Sequence, residues 1–358
     1  VAAPSTVWYG AAADPGGHVR AVLRQVFPRV SERSHVKKIL TILAAASLLI
    51  LTACGGGESG STAPGDAQTS SGPTKVKVSV IPILDVAPLY LGQQQGLFAE
   101  QGLELEFATA QGGAAIIPAV VSGQVEFGFS NFTSLIIARS QKVPVKVVIA
   151  GAGSTGEKGK DFGAVVVKPD SPIKTAADLA GKKVAVNTLN NISDTTVRAS
   201  VRAGGGDPKN INFVELAFPD MLPALDQGSI DAAQVVEPFL TTAVKAGNRV
   251  VASNFAETAP DLTVAGYFTS EQLAQSNPDL VRRFAAAMRK SLEYAAQNPD
   301  AVRKILPTYT KIDPSIIDSL TLPRYPTEVN AQSVETLIKL AHGDGLITSP
   351  PDVKELLP

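Results

Sequence analysis

From residue 75 to about 268 the chain alternates short β-branched runs with stretches of helical period, and this limits its fold more than any other feature. Apolar runs at 76–81, 103–108, 125–130, 145–150 and 163–168 read as strands, with helical patterns at 88–101, 114–122 and 132–141 between them. A second series has strands at 183–187, 211–216, 231–236 and 249–252 and helices near 175–180, 194–204, 219–227 and 238–246. Strands separated by ten-residue helices predict an α/β fold of βα units, with mainly parallel sheets flanked by helices. From about 270 the pattern becomes helical, at 270–275, 278–296, 299–309, 313–320 and 330–342. Asn277-Pro278-Asp279 and Asn298-Pro299-Asp300 each offer a capping side chain and a proline suited to a first turn.

The folded part, 75–358, is 284 residues, enough for two lobes with separate cores. An internal echo links its halves at an offset of 105: AVVSGQVEFGFSN at 119–131 against ALDQGSIDAAQVV at 224–236. Gly123 aligns with Gly228 and Glu126 with Asp231, so each reads as helix, glycine stop, acidic residue, buried strand. Any αβ turn produces part of this pattern, so it speaks for a shared unit more than for duplication. Two βα lobes predict a ligand cleft at the carboxyl ends of their strands. Gly204-Gly205-Gly206 follows an apolar helix face and reads as a helix stop, not a phosphate cradle.

Ahead of the folded part, residues 36–54 read VKKILTILAAASLLILTAC. Lys37 and Lys38 precede an apolar run from Ile39 to Ile50, shorter than the roughly 20 residues a membrane-spanning helix needs. A basic start, an apolar middle and a small-residue end form a secretory signal at 36–53, in preference to a buried core helix. Leu51-Thr52-Ala53-Cys54 resembles the lipobox of bacterial lipoproteins, which implies cleavage before Cys54 and a diacylglyceryl thioether on its sulfur. Cys54 is the only cysteine, so no disulfide forms within the chain. An added N-acyl group would give the multiple chains that stable anchoring needs, on the extracytoplasmic face of the cell membrane. Residues 1–35 lack a sustained apolar period and are expected to be over-called reading frame with a start at Val36, or else an unusually long basic lead. Residues 55–74 are rich in Gly, Ser, Thr and Pro and read as a flexible linker with a random-coil reach of roughly 25 Å.

The chain holds 32 basic and 33 acidic residues; residues 1–53 carry six of the former and two of the latter, which leaves −5 on the mature chain. Mild acidity without a basic stripe argues against nucleic acid as a partner. The mature chain keeps one histidine, His342, in the polar AHGDG segment, where a surface position is the simpler reading. One histidine and no free cysteine cannot build a zinc site of the usual ligands, nor a nucleophile–histidine centre unless His342 serves it. No P-loop and no dinucleotide fingerprint follow a strand. These features predict no enzyme, no cofactor and no metal.

Ala87-Pro88-Leu89-Tyr90-Leu91, with Gly96-Leu97-Phe98 and Gly102-Leu103, resembles the opening of the SsuA/THI5-like (NMT1, NitT/TauT) solute-binding proteins. Three further stretches are similar to that group in order: Gly112-Gly113 before a helix, Asp178 through Val184 (DLAGKKV), and Gly228 through Asp231-Ala232 to Glu237-Pro238. The resemblance spans most of 75–300. It implies a two-lobed type II periplasmic-binding-protein fold with extra C-terminal helices, and delivery of a small solute to the permease and ATPase subunits of an ABC importer. A monomer is expected. Lobe 1 is placed at 75–165 plus 266–358 and lobe 2 at 166–265, with crossings near 163–169 and 255–268 about which the lobes close on ligand. Sulfonates or taurine, nitrate-like anions, pyrimidine-type nitrogen compounds and aromatic acids all stay open as solutes. A sensing lipoprotein that reports to a membrane partner without transport is the alternative, and a scaffold without ligand is a third reading. A synthase on the same fold would need a cysteine- and histidine-rich centre that this chain lacks.

Site candidates fall on loops after strands. Ser130-Asn131-Phe132 ends a strand and opens a helix, and Ser193-Asp194-Thr195 opens the helix expected at 194–204. Free backbone N–H groups at such starts suit an anion, although plain capping explains the same residues. Gly112 and Gly113 let backbone approach a ligand, or simply turn. Asp85 after the first strand and Glu237 before Pro238 would disfavour a bare anion and favour a ligand with an amine or ring N–H donors, unless Glu237 serves the scaffold. Phe132, Phe162 and Phe218 are candidate apolar walls, each equally suited to a core.

Overall fold

A computed structural model of the protein describes residues 72–358; the expected signal segment, Cys54 and most of the linker lie outside the described residues. The first half gives β1 (Thr74–Val80), α1 (Ala87–Gln94), β2 (Leu103–Thr109), α2 (Gly113–Val121), β3 (Phe127–Asn131), α3 (Phe132–Ser140) and β4 (Val145–Gly153). There follow β5 (Gly163–Val167), β6 (Lys183–Val186), α4 (Ile192–Ala203), β7 (Asn212–Glu215), α5 (Phe218–Asp226), β8 (Ala232–Val236), α6 (Phe239–Lys245) and β9 (Arg249–Ala252). After α7 (Asn254–Thr258) and β10 (Thr263–Ser270), the chain ends in α8 (Glu271–Ser276), α9 (Pro278–Gln297), α10 (Pro299–Ile305), α11 (Ala331–Gly343) and α12 (Val353–Leu356).

The strands form two five-stranded sheets of identical topology, ordered β2-β1-β3-β10-β4 and β7-β6-β8-β5-β9. Each is mixed: β1 runs parallel to β2 and β3, whereas β10 is antiparallel to β3 and β4. In the second sheet β5 plays the antiparallel part between β8 and β9. This is a two-lobed α/β architecture, with one strand per sheet reversed.

The stretch expected to cross between lobes near 255–268 holds β10, every residue of which is buried. Only the short α7 precedes this antiparallel strand, too brief to give a helical period, so the βα rhythm does not announce it, and Gly266 interrupts its β-branched run. That glycine is required by packing, since a Cβ there would lie 2.8 Å from the Ile149 carbonyl oxygen of β4. The run at 163–168 is likewise β5 of the second sheet, not a crossing. The chain passes between sheets a few residues earlier than expected, over 154–162 and 253–262.

The echo at an offset of 105 is geometric as well as textual. The bounds of α2 and β3 map onto those of α5 and β8 at that offset. Gly123 and Gly228 adopt φ of 74° and 72°, the left-handed turn open to glycine. The Glu126 carboxylate accepts the Lys77 N–H at 2.7 Å and the Asp231 carboxylate accepts the Lys183 N–H at 2.8 Å, each pinning the neighbouring strand.

The amphipathic α9 closes the first sheet by burying Leu280, Phe284, Ala287, Met288, Leu292 and Ala295. Phe284 stacks on Phe127 of β3 with ring centres 3.9 Å apart, and Phe98 and Tyr267 complete the cluster at 5.8 and 6.0 Å. Removing so central a ring leaves a cavity that rigid strands cannot fill. Phe284→Ala is therefore expected to cost about 3–5 kcal/mol, read from the urea midpoint of unfolding.

Candidate functional site

The site begins at the carboxyl end of β1, where residues 84–86 form a 3-10 turn instead of continuing the strand. Two tyrosines from the C-terminal region fix this turn: the Tyr309 hydroxyl donates to the Ile83 carbonyl at 3.1 Å and the Tyr325 hydroxyl to the Leu84 carbonyl at 3.2 Å. The Leu84 N–H donates to the Glu237 carbonyl at 3.2 Å, so the turn also touches the end of β8 in the other sheet. Asp85 is held inside, 3% exposed, and its Oδ1 has no hydrogen-bond partner. Burial pushes its carboxyl up to about 7; its own backbone N–H opposes the shift and the nearby Asp161 adds to it.

Next to this turn Tyr90 lies parallel to Tyr309 with ring centres 3.9 Å apart, and Phe107 tilts against it at 4.5 Å. Tyr267, in the middle of β10, is fully buried with its hydroxyl unpartnered. Burial and the neighbouring Tyr90 and Asp85 hold its phenol well above the usual range. Asp85 and four tyrosines (90, 267, 309 and 325) thus form one electrostatic neighbourhood.

The loops at strand ends of the two sheets touch directly. Gln111 Nε2 donates to the Asn187 carbonyl at 3.2 Å and Asn187 Nδ2 returns a bond to the Gln111 carbonyl at 3.4 Å. A Cβ on Gly112 would sit 2.5 Å from Thr188 Cγ2, so the lack of a side chain permits this approach. Gly113 packs on Ser130, whose buried hydroxyl makes only a long bond to the Asn131 carbonyl, 3.4 Å. Asn131 caps α3 by accepting the Ser134 N–H at 2.9 Å, and the same Oδ1 accepts the Ile192 N–H of α4 at 3.2 Å. One side chain therefore joins two helix starts across the lobes.

In the second lobe the helix opens earlier than expected. Its cap is Asn191, whose Oδ1 accepts the Ser193 N–H at 2.8 Å, so Ser193, Asp194 and Thr195 lie inside the first turn of α4. The Asn-rich TLNNIS stretch at 188–193 was the signal for that cap, since Asn ranks with Ser and Asp at N-caps. Ser193 Oγ donates to Gln234 Oε1 at 2.6 Å and Thr195 Oγ1 to the Asn191 carbonyl at 3.0 Å. Asp194 accepts the Asn190 N–H at 2.8 Å with one oxygen and leaves Oδ1 unpartnered. Burial raises its carboxyl to about 6 against the pull of its backbone bonds and of Arg198.

Glu237 is occupied by the scaffold. Its carboxylate accepts the Thr241 N–H at 3.0 Å, the Thr241 hydroxyl at 2.7 Å and the Thr321 N–H at 3.0 Å. Burial still raises its carboxyl above the usual range. The Thr321 bond belongs to a C-terminal strap: Lys245 holds the Ser315 carbonyl at 2.8 Å on one lobe, while Arg324 pairs with Gly153 through two 2.9 Å backbone bonds on the other. Phe132 is core, as are Phe162, packed on Phe255 at 5.4 Å, and Phe218, stacked on Phe239 at 5.6 Å. His342 is exposed at the end of α11. Sequence reasoning missed Tyr267, Tyr309 and Tyr325, which reach the site from outside the βα series.

Among the described residues no group of three or more His, Cys, Asp and Glu side chains is placed to hold a metal ion, and no helix is long and apolar enough to cross a membrane. The arrangement suits reversible enclosure of a small molecule: two lobes meet over buried polar groups, several of them without partners. The model of the NMT1/THI5-like family matches residues 84–302, from the Asp85 turn into α10. The chain belongs to the NMT1/THI5-like family. Among relatives of this family member, the taurine-binding periplasmic protein of Escherichia coli K12 is 28% identical over 63% of this chain and 68% of its own. A 4-amino-5-hydroxymethyl-2-methylpyrimidine phosphate synthase of Aspergillus parasiticus is 24% identical over 60% of this chain and 64% of its own. The alkanesulfonate-binding protein SsuA of Xanthomonas axonopodis pv. citri, solved with MOPS, superposes with a TM-score of 0.67 at 15% identity, over 81% of this chain and 99% of that one. That likeness establishes the periplasmic-binding-protein fold for this NMT1/THI5-like chain.

Proposed function

We propose that this protein is an extracytoplasmic solute receptor that captures a small molecule between its lobes and presents the closed form to the permease and ATPase subunits of an ABC importer. The observation that carries the reading is the inter-lobe seam, where Gln111, Gly112 and Asn131 meet Asn187, Thr188 and Ile192, together with the Asp85 turn, which touches the end of β8 in the other sheet and holds a buried, unpartnered Oδ1. Buried polar atoms without partners are costly in a ligand-free fold and become favourable once a ligand supplies the missing bonds. The family relationship to a taurine-binding periplasmic protein supports binding over catalysis. Closure would turn about the segments 154–162 and 253–262, with lobe 1 carrying the first sheet and the C-terminal helices and lobe 2 the second sheet. A thermal-shift panel spanning sulfonates, nitrate, aminopyrimidines and aromatic acids tests the reading. A ligand at 100 times its Kd should add about 2.7 kcal/mol. No shift with any class, and no ligand retained on purification, would count against it.

The lipobox reading extends this proposal to a tether. Cys54 would carry the lipid, and the Gly- and Ser-rich linker would let the receptor stand off the membrane. Cys54→Ala is expected to move the protein from the membrane fraction to the soluble one and to abolish labelling by an alkynyl fatty acid. Retention in the membrane without label would reject the lipid anchor.

A further inference from the structure

We propose that the cleft is specific for a solute that presents a cationic or N–H-donating nitrogen group to Asp85, and that Asp85 excludes sulfonates and other bare anions. The inference deepens the solute-receptor reading and rests on it. Its basis is the inventory of buried charge. The buried charged residues among those described are Asp85, Asp161, Asp194 and Glu237, and no lysine or arginine is among them.

Three of these carboxylates are provided for. Asp161 receives the Ser154 hydroxyl and the Thr155 and Phe162 N–H groups. Glu237 receives two backbone N–H groups and the Thr241 hydroxyl. Asp194 has the Asn190 N–H and the field of Arg198. Asp85 differs: it receives no hydrogen bond from the side chain or backbone of any other residue, and its Oδ1 is shut from water. A carboxylate desolvated in this way costs several kcal/mol unless a donor arrives. The fold nevertheless spends two tyrosine hydroxyls, from Tyr309 and Tyr325, on holding the turn that carries it.

The groups beside Asp85 point to the same chemistry. Tyr267, whose hydroxyl is also unpartnered, can donate to or accept from a second polar atom of the solute. Tyr90 and Tyr309 stack on each other with Phe107 against Tyr90, so an aromatic wall stands beside the turn, and such walls favour cationic or planar nitrogen groups. Above about pH 7, where Asp85 is ionised, a sulfonate would meet its charge with no buried cation to offset it, and like charges at such range in a dry site exclude each other. The asymmetry follows: a nitrogen donor repairs the orphaned carboxylate, whereas an anion worsens it.

Binding of two ligand sets to the full-length protein in mild detergent tests the proposal by calorimetry and thermal shift. One set is 4-aminopyrimidine, benzamidine and choline; the other is ethanesulfonate, isethionate and nitrate. At pH 8, where Asp85 is ionised, the proposal expects millimolar or tighter binding within the nitrogen set, lost by about 30-fold or more in Asp85→Asn, with the anion set silent. Asp85→Asn keeps shape and removes only charge, and Tyr267→Phe serves as a second variant that weakens binding without altering the charge preference. Binding of an anion with affinity unchanged in Asp85→Asn would overturn the proposal while leaving the receptor reading intact. So would affinity for benzamidine or choline, both cationic throughout, that falls as pH rises from 6 to 8, because Asp85 would then be acting as a protonated donor. Silence of both sets at millimolar concentration, with native mass spectrometry showing no retained ligand, would overturn the specificity together with the receptor reading.

Discussion

Asp85→Asn is expected to stabilise the ligand-free protein at pH 8 and to leave it nearly unchanged at pH 4. The reason is linkage. An unfolded aspartate titrates near 3.8, whereas burial raises this one to about 7, so the folded state holds a proton that the unfolded state has released between those values. Stability from this group is therefore full below about pH 4 and is lost as pH rises toward 7. Roughly three pH units at about 1.4 kcal/mol each set an upper bound near 4 kcal/mol, and some relaxation of the site makes about 2–4 kcal/mol the expected gain for a neutral, isosteric amide. The charged and titratable groups around Asp85 are Asp161, Tyr90, Tyr267, Tyr309 and Tyr325, and the phenols stay neutral throughout this window. Urea unfolding of wild type and variant at pH 4, 6 and 8 measures the difference directly. A variant less stable than wild type at pH 8 would mean that the carboxylate already has a donor within the protein. A gain in stability alongside a loss of ligand would be the usual mark of a group kept for function at the expense of the fold.

The second large effect is expected at Gly112. A Cβ there would come within 2.5 Å of Thr188 Cγ2 and 2.9 Å of Asn187 Nδ2, both on the opposite lobe. Gly112 itself is in extended backbone that any residue adopts, so a substitution adds no torsional strain and acts only when the lobes meet. Gly112→Leu should thus spare the open form and penalise the closed one by the cost of overpacking, about 1–3 kcal/mol. A ligand that requires closure would then bind about 5- to 150-fold more weakly, with the difference in the population of the closed state. Small-angle scattering with saturating ligand should show an incompletely closed form. Thr188→Ala should restore part of the affinity, because it removes the methyl that the new side chain meets. Weakened binding without rescue, and with an unchanged scattering profile, would place Gly112 in direct ligand contact.

The seam was only partly legible in the sequence. Asn131 and the Gly112-Gly113 pair stood out because loops after strands need caps and small residues, and both lie where the lobes meet. Glu237 also stood out, but a charge before Pro238 does not reveal that Thr241 and Thr321 already satisfy it. The helix expected from Asp194 starts two residues earlier, at Ile192, because Asn191 takes the cap and so draws the Ser193-Asp194-Thr195 trio into the first turn. The tyrosines at 267, 309 and 325 carried no local signal. Their role depends on a strand and a strap that return to the first lobe after more than a hundred residues.

What the sequence determined by itself is what local periodicity and local turn chemistry can specify. The βα rhythm, the Asn277 cap of α9, the proline in the first turn of α9 and of α10, and the glycine stops at 123 and 228 all follow from residues within a few positions of one another. Only the tertiary structure decided that β10 and β5 enter their sheets reversed, that Asp85 lacks a donor while Asp161 and Glu237 do not, and that Asn131 spans the cleft. Those properties depend on which distant groups share a volume. A buried carboxylate looks the same in sequence whether its partner is a backbone N–H fifty residues away or a solute yet to arrive.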